Sequence, residues 1–129
     1  GHVDTRAMTV ADWQETYDRM MALEPMVPGA KLKVSMINGH KPMERNATMV
    51  RSFAQCKAIG EAYGLTVRED MSGGGSDGNT VAALGIPVLD GLGPQGDGLH
   101  ALHEHVVLNS LPRRLTLLAA MLKDWDFSK

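Results

Sequence analysis

Ser72-Gly73-Gly74-Gly75-Ser76-Asp77-Gly78-Asn79 is the stretch on which the reading of this chain turns. Leu65 to Glu69 precedes it with the texture of a strand. Thr80 to Leu84 follows as a short helix, and Ile86 to Leu89 is strand again. The second strand lies in a nearly continuous apolar run, which suits a parallel sheet covered on both faces. Strand, glycine loop, helix and strand in that order make the fold class α/β. Within the loop, Gly73, Gly75 and Gly78 match G-x-G-x-x-G, the spacing of a dinucleotide site. Gly91, Gly93 and Gly96 repeat that pattern a few residues later, which shows how little it specifies. The intervening helix has only about five residues, short of the ~10–12 of a crossover unit. Asn79 stands where a phosphate loop carries lysine. A tight strand-to-helix turn accounts for the glycines without any ligand. The amides of such a loop also hold any anion, a carboxylate included.

Upstream, Thr9 and Asp12 read as a capped helix start. Val10, Trp13, Tyr17, Met20 and Met21 recur at helical spacing until Pro25 and Pro28-Gly29 stop them. Leu32, Val34 and Met36 alternate with Lys31, Lys33 and Ser35, so Lys31 to Ile37 predicts a strand with one wet face. Val3 to Met8 is a further candidate strand. A second helix is expected from about Ala47 to Tyr63, capped by Asn46 or Thr48 and ended by Gly64. Ser110 as cap and Pro112 in the first turn open a last helix, with Leu111, Leu115, Leu118 and Leu122 as its stripe. A boundary falls between the two textures. Residues 1–38 form one piece, 39–46 a connector and 47–129 a second piece, and neither piece looks complete.

The composition excludes several classes. The 129 residues are 43% hydrophobic and 22% charged, which describes a globular chain with a core. The length excludes a complete active site of a large two-domain enzyme. A net charge of −2 argues against nucleic acid or an anionic membrane as partner. The longest apolar stretch, Leu115 to Leu122, is far below the ~18 residues of a membrane span. A single cysteine, Cys56, excludes a disulfide framework. Without a signal-peptide pattern, a cytoplasmic location is expected.

His100, His103, Glu104 and His105 carry metal-ligand chemistry, but no single backbone conformation puts them on one face. One useful histidine with two surface neighbours is the simplest reading. Cys56 and the nine methionines read as core, and no G-x-S-x-G nucleophile elbow is present.

The glycine stretch, then Ala82-Ala83-Leu84-Gly85-Ile86-Pro87-Val88-Leu89-Asp90-Gly91-Leu92-Gly93, Gly98-Leu99-His100, Glu104 and Leu111-Pro112-Arg113-Arg114 occur in a telling order. That order resembles the C-terminal third of the glutamate carboxypeptidase, aminoacylase and succinyl-diaminopimelate desuccinylase family of dinuclear zinc hydrolases. Val3-Asp4-Thr5-Arg6 is similar to the family's Asp-x-Arg strand. The resemblance implies a partial α/β zinc-peptidase catalytic domain over residues 47–129. Residues 1–38 would be the second half of a ferredoxin-like lid or dimerisation domain. It makes His100 the last zinc-ligand histidine. It makes Gly74, Gly75, Ser76, Asp77 and Asn79 the lining that holds a substrate carboxylate. Where members often carry an arginine for the same carboxylate, Gly39-His40-Lys41-Pro42 offers His40 and Lys41. Ala101 replaces the usual serine after the metal histidine, and His105 stands where an aromatic commonly follows the glutamate.

The reaction implied is hydrolysis of an amide in a small peptide or N-acyl amino acid at a two-zinc centre, with a glutamate as base. The family's other metal ligands and that glutamate belong to an upstream part. Zinc needs three or four protein ligands, so neither tight zinc binding nor hydrolysis is expected of this chain alone. The alternative is a non-catalytic binding or dimerisation module that keeps the glycine loop. Under either reading the half-sheets present unpaired edges, which predicts association as a homodimer or with a missing N-terminal portion.

Overall fold

The computed structural model describes residues 1–128. Among the described residues there are four α-helices, three of them opened by a side-chain cap. In α1 (Val10–Met21), the Thr9 hydroxyl accepts from the Asp12 amide at 3.1 Å and donates to the Asp12 carboxylate at 2.7 Å. Trp13 and Tyr17, one turn apart, stack with ring centroids 5.7 Å apart. In α2 (Ala47–Ala62), the Asn46 side-chain oxygen accepts from the amides of Thr48 and Met49, both at 3.0 Å. Gly64, at φ +70°, follows its last turn.

The third helix, α3 (Asp77–Ala82), begins earlier than Thr80. Ser76 is its N-cap and Asn79 closes a reciprocal capping box, so Asp77 to Asn79 are helical. The last helix, α4 (Leu111–Asp124), has Pro112 in its first turn, as expected. Ser110 does not cap it. A 3-10 turn, Leu108–Ser110, runs directly into α4, and the Ser110 hydroxyl donates to the Val107 carbonyl and accepts from the Gln95 amide.

The strands differ from expectation. Among the described residues the ladder consists of β1 (Gly96–Asp97) and β2 (His105–Val106), paired antiparallel with Gly96 opposite Val106 and Asp97 opposite His105. Two-residue strands are too short to show alternation. The segments 3–8, 31–37, 65–69 and 86–89 join no ladder. Their alternation and apolar runs describe how side chains would distribute, but a strand also needs a hydrogen-bonding neighbour, and none is provided among the described residues. The result is a helix-rich chain with one small sheet, consistent with a partial α/β domain.

The chain divides into two compact units. The first comprises Gly1–Arg45 with Ser72–Ile86. The second comprises Asn46–Met71 and the chain from Pro87 onward. The core belongs to the second, where Met49, Cys56 and Ile59 of α2 and Leu117 and Ala120 of α4 are buried. Gly60 permits a close approach. A Cβ there would run into the Val67 side chain and lie 3.3 Å from Leu117 Cδ1. The buried face of α4 is not the expected leucine stripe: Leu115 is 64% exposed and Leu122 90%. Two apolar rows coexist on this helix, and packing selects the one with small Ala120, which lets the helices close. Among the described residues, no helix is long and apolar enough to cross a membrane.

Candidate functional site

In the first unit, the glycine loop is tied down at both ends. The Gly74 amide donates to the Ser72 hydroxyl at 3.1 Å. The Ser76 amide donates to the Asn79 side-chain oxygen at 2.9 Å, and the Gly78 amide to the Ser76 hydroxyl at 3.0 Å. Much of the loop's donor capacity therefore serves the start of α3. Ser76 and Asn79 are half-buried, while Gly74, Gly75 and Asp77 are exposed.

Three residues from distant sequence, His40, Lys41 and Arg6, contact this loop or the start of α3 within the same unit. Lys41 and His40 come from the segment that precedes α2. The Asn79 side-chain NH2 donates to the Lys41 carbonyl at 2.9 Å, fixing that segment against α3. His40 Nδ1 lies 3.3 Å from the Thr80 hydroxyl, and its ring borders Gly75, where a Cβ would sit 3.7 Å from Cδ2. The Lys41 ammonium lies 5.9 Å from the Trp13 ring centroid, a cation–π arrangement. The third residue is Arg6, which donates to the Gly73 carbonyl at 2.7 Å and pairs with Asp4 at 3.1 Å. The structure thus joins His40 and Lys41 to Gly75, Ser76 and Asn79. The His40 ring and the Arg6 guanidinium lie at the loop, whereas the Lys41 ammonium lies over Trp13.

Sequence reasoning missed Arg6 and Thr80 at this place. Arg6 precedes Gly73 by 67 residues, and no local pattern announces such a pair. The Ser76–Asn79 capping box was present in the sequence and would have moved the helix start to its observed position.

His100 lies in the second unit, three residues after Asp97, the last residue of β1. It adopts φ +65°, the one described non-glycine residue in the left-handed region, where histidine is tolerated better than most side chains. Its amide faces a Glu104 carboxylate oxygen at 3.3 Å, so the turn uses that carboxylate internally. His103 packs beside Gly98, where a Cβ would approach its Cδ2 to 2.7 Å, and His105 Nδ1 lies 3.0 Å from the His103 carbonyl. Among the described residues, no three His, Cys, Asp or Glu side chains converge as a metal-binding group. His100 is therefore a single candidate ligand, and these side chains do not by themselves build a zinc centre.

The model of peptidase family M20/M25/M40 matches residues 3–124, and the chain belongs to that family. Carboxypeptidase G2 of Pseudomonas sp. (strain RS-16) is 32% identical over 113 residues, covering 84% of this chain and 26% of that protein. The chain thus spans about a quarter of the length of this relative. No solved structure matches the chain.

Proposed function

We propose that this chain is the C-terminal portion of a zinc-dependent metallopeptidase or amidohydrolase that cleaves an amide bond next to a carboxylate-bearing residue. The family match over residues 3–124 carries this reading. In it, residues 1–38 are the second half of a ferredoxin-like lid, 39–46 the connector and 47–129 the closing part of the catalytic domain. The loop Gly74, Gly75, Ser76, Asp77 and Asn79 holds the carboxylate of a small peptide or N-acyl amino acid, with Lys41 and His40 in the place of the family's carboxylate-binding arginine. His100 contributes one ligand to a pair of zinc ions. The remaining ligands and the general base come from outside these residues, so the chain alone is inactive. Exposed apolar side chains such as Met26 and Ile37 support association, as a homodimer or with the N-terminal portion. One unpaired, buried cysteine is compatible with a reducing, cytoplasmic location.

The test is a zinc titration and a hydrolysis assay on the 129-residue chain with an N-acyl glutamate. Zinc binding weaker than micromolar and no turnover are expected. Sub-micromolar zinc affinity or measurable hydrolysis overturns the reading. The product of the native gene tests it separately: a chain about three times longer, containing the family's His-x-Asp and Glu-Glu motifs, is expected under our reading. A native product of 13.9 kDa would instead support the non-catalytic module.

A further inference from the structure

In the second unit, the segment after α2 and the start of α4 flank a half-open cleft of about 350 Å³ with no counterpart in the proposed reaction. Arg68 reaches it from the first, and Arg113 and Arg114 from the second. Thr66 and Gln95 add polar lining, and Leu117 contributes apolar wall. No Asp or Glu lines the cavity, and among the described residues none of the three arginines pairs with a carboxylate.

Three arginines and no carboxylate line this one cleft, in a chain whose net charge is −2. Arg113 and Arg114 also occupy the first turn of α4, the positive end of the helix dipole, where cations are disfavoured. The Ser110 hydroxyl is committed to Val107 and Gln95, so no side chain caps this helix. Each of these costs is offset by an anion in the cavity. Guanidinium forks match planar and tetrahedral oxyanions by paired hydrogen bonds. The volume lies at the lower end of small-ligand sites.

We propose that Arg68, Arg113 and Arg114 form a binding site for a compact, multiply charged oxyanion, of which phosphate-bearing and polycarboxylate metabolites are the two sources. Pyrophosphate and citrate are the probes for the two arms, titrated into the 129-residue chain by calorimetry and by NMR of the arginine Nε–Hε groups. Saturable binding is expected, weakening as salt rises. The signals of Arg68, Arg113 and Arg114 should shift, while those of Arg19 and Arg51 stay in place. Tighter binding of pyrophosphate assigns the phosphate source, and tighter binding of citrate the polycarboxylate source. Arg68→Gln and Arg113→Gln should each weaken binding about three- to tenfold. Arg113→Lys should restore part of that loss, since it returns charge without the fork. Folding of each variant is checked by its thermal midpoint. No saturation by either probe at millimolar concentration overturns the site. So do equal shifts at Arg19 and Arg51, or unchanged affinity in both glutamine variants.

Discussion

The unit built on α2 and α4 buries Met49, Cys56, Ile59, Leu117 and Ala120, whereas no described residue of the unit carrying the glycine loop reaches the same degree of burial. The loop unit is held instead by directed polar contacts: Asn79 to Lys41, Thr80 with His40, Arg6 to Gly73, and the Val10 amide to Glu44 at 2.8 Å. Apolar packing is non-directional and cumulative, while a hydrogen bond fixes one geometry at a modest net gain of ~1 kcal/mol. The candidate carboxylate site therefore lies where individual contacts set its shape, and the candidate anion cavity lies beside a packed helix pair.

Removing core from the packed unit should have the largest effect. Leu117 is 2% exposed, and Leu117→Ala should cost about 2–5 kcal/mol of that unit's stability. Urea denaturation followed by tryptophan fluorescence at Trp125 reads it. Hydrogen exchange sharpens the comparison, since amides of α2 and α4 should exchange more slowly than those of residues 72–86. Equal protection in the two regions would erase the contrast.

The next largest effect belongs to the loop unit. Asn79→Ala removes both the acceptor for the Ser76 amide and the donor to the Lys41 carbonyl. A loss of about 1–2 kcal/mol, confined to this unit, is expected. It should appear as faster exchange at Ser76 and weaker binding of N-acetylglutamate, with the α2 and α4 amides unchanged. Slower exchange in Asn79→Ala, or none of these changes, would show that the loop does not depend on its capping box. Arg6→Ala should do less, below ~1 kcal/mol, because the Arg6 and Asp4 side chains are 64% and 74% exposed. Faster exchange near Gly73 is the readout.

The same contrast explains what the sequence revealed. Helices capped locally were legible: Thr9, Asn46 and Pro112 announce α1, α2 and α4 within one turn of chain. The glycine loop was legible as a turn leading into a short helix. What escaped depends on partners. The segments 31–37 and 65–69 have strand-like patterns, but pairing is a property of two segments and the pattern belongs to one. On α4, both Leu115 and Leu117 sit in helical apolar rows, and only the packing partner decides which row is buried. Arg6 reaches Gly73 across 67 residues of sequence, a contact no spacing rule encodes.

Cys56 gives the smallest effect at neutral pH and the most direct probe of the packed unit. It is 1% exposed, with its sulfur 3.5 Å from that of Met121. Burial pushes its thiol above the ordinary range, and the charge of Arg114 pulls more weakly the other way. The folded chain therefore holds the thiol proton more tightly than the unfolded chain. Stabilisation from this group is fully present below the ordinary thiol value of about 8.5 and is lost as pH rises through the higher folded value. The difference in urea midpoint between the parent chain and Cys56→Ala should be flat from about pH 6 to 8 and shrink above pH ~8.5. In the native chain the thiol should resist a disulfide reagent at pH 8 until the unit opens, so its reaction rate reports opening of the α2–α4 pair. Native reactivity equal to that of the urea-unfolded chain would mean that the α2–α4 pair does not shield Cys56, and the packed half of the comparison would fail.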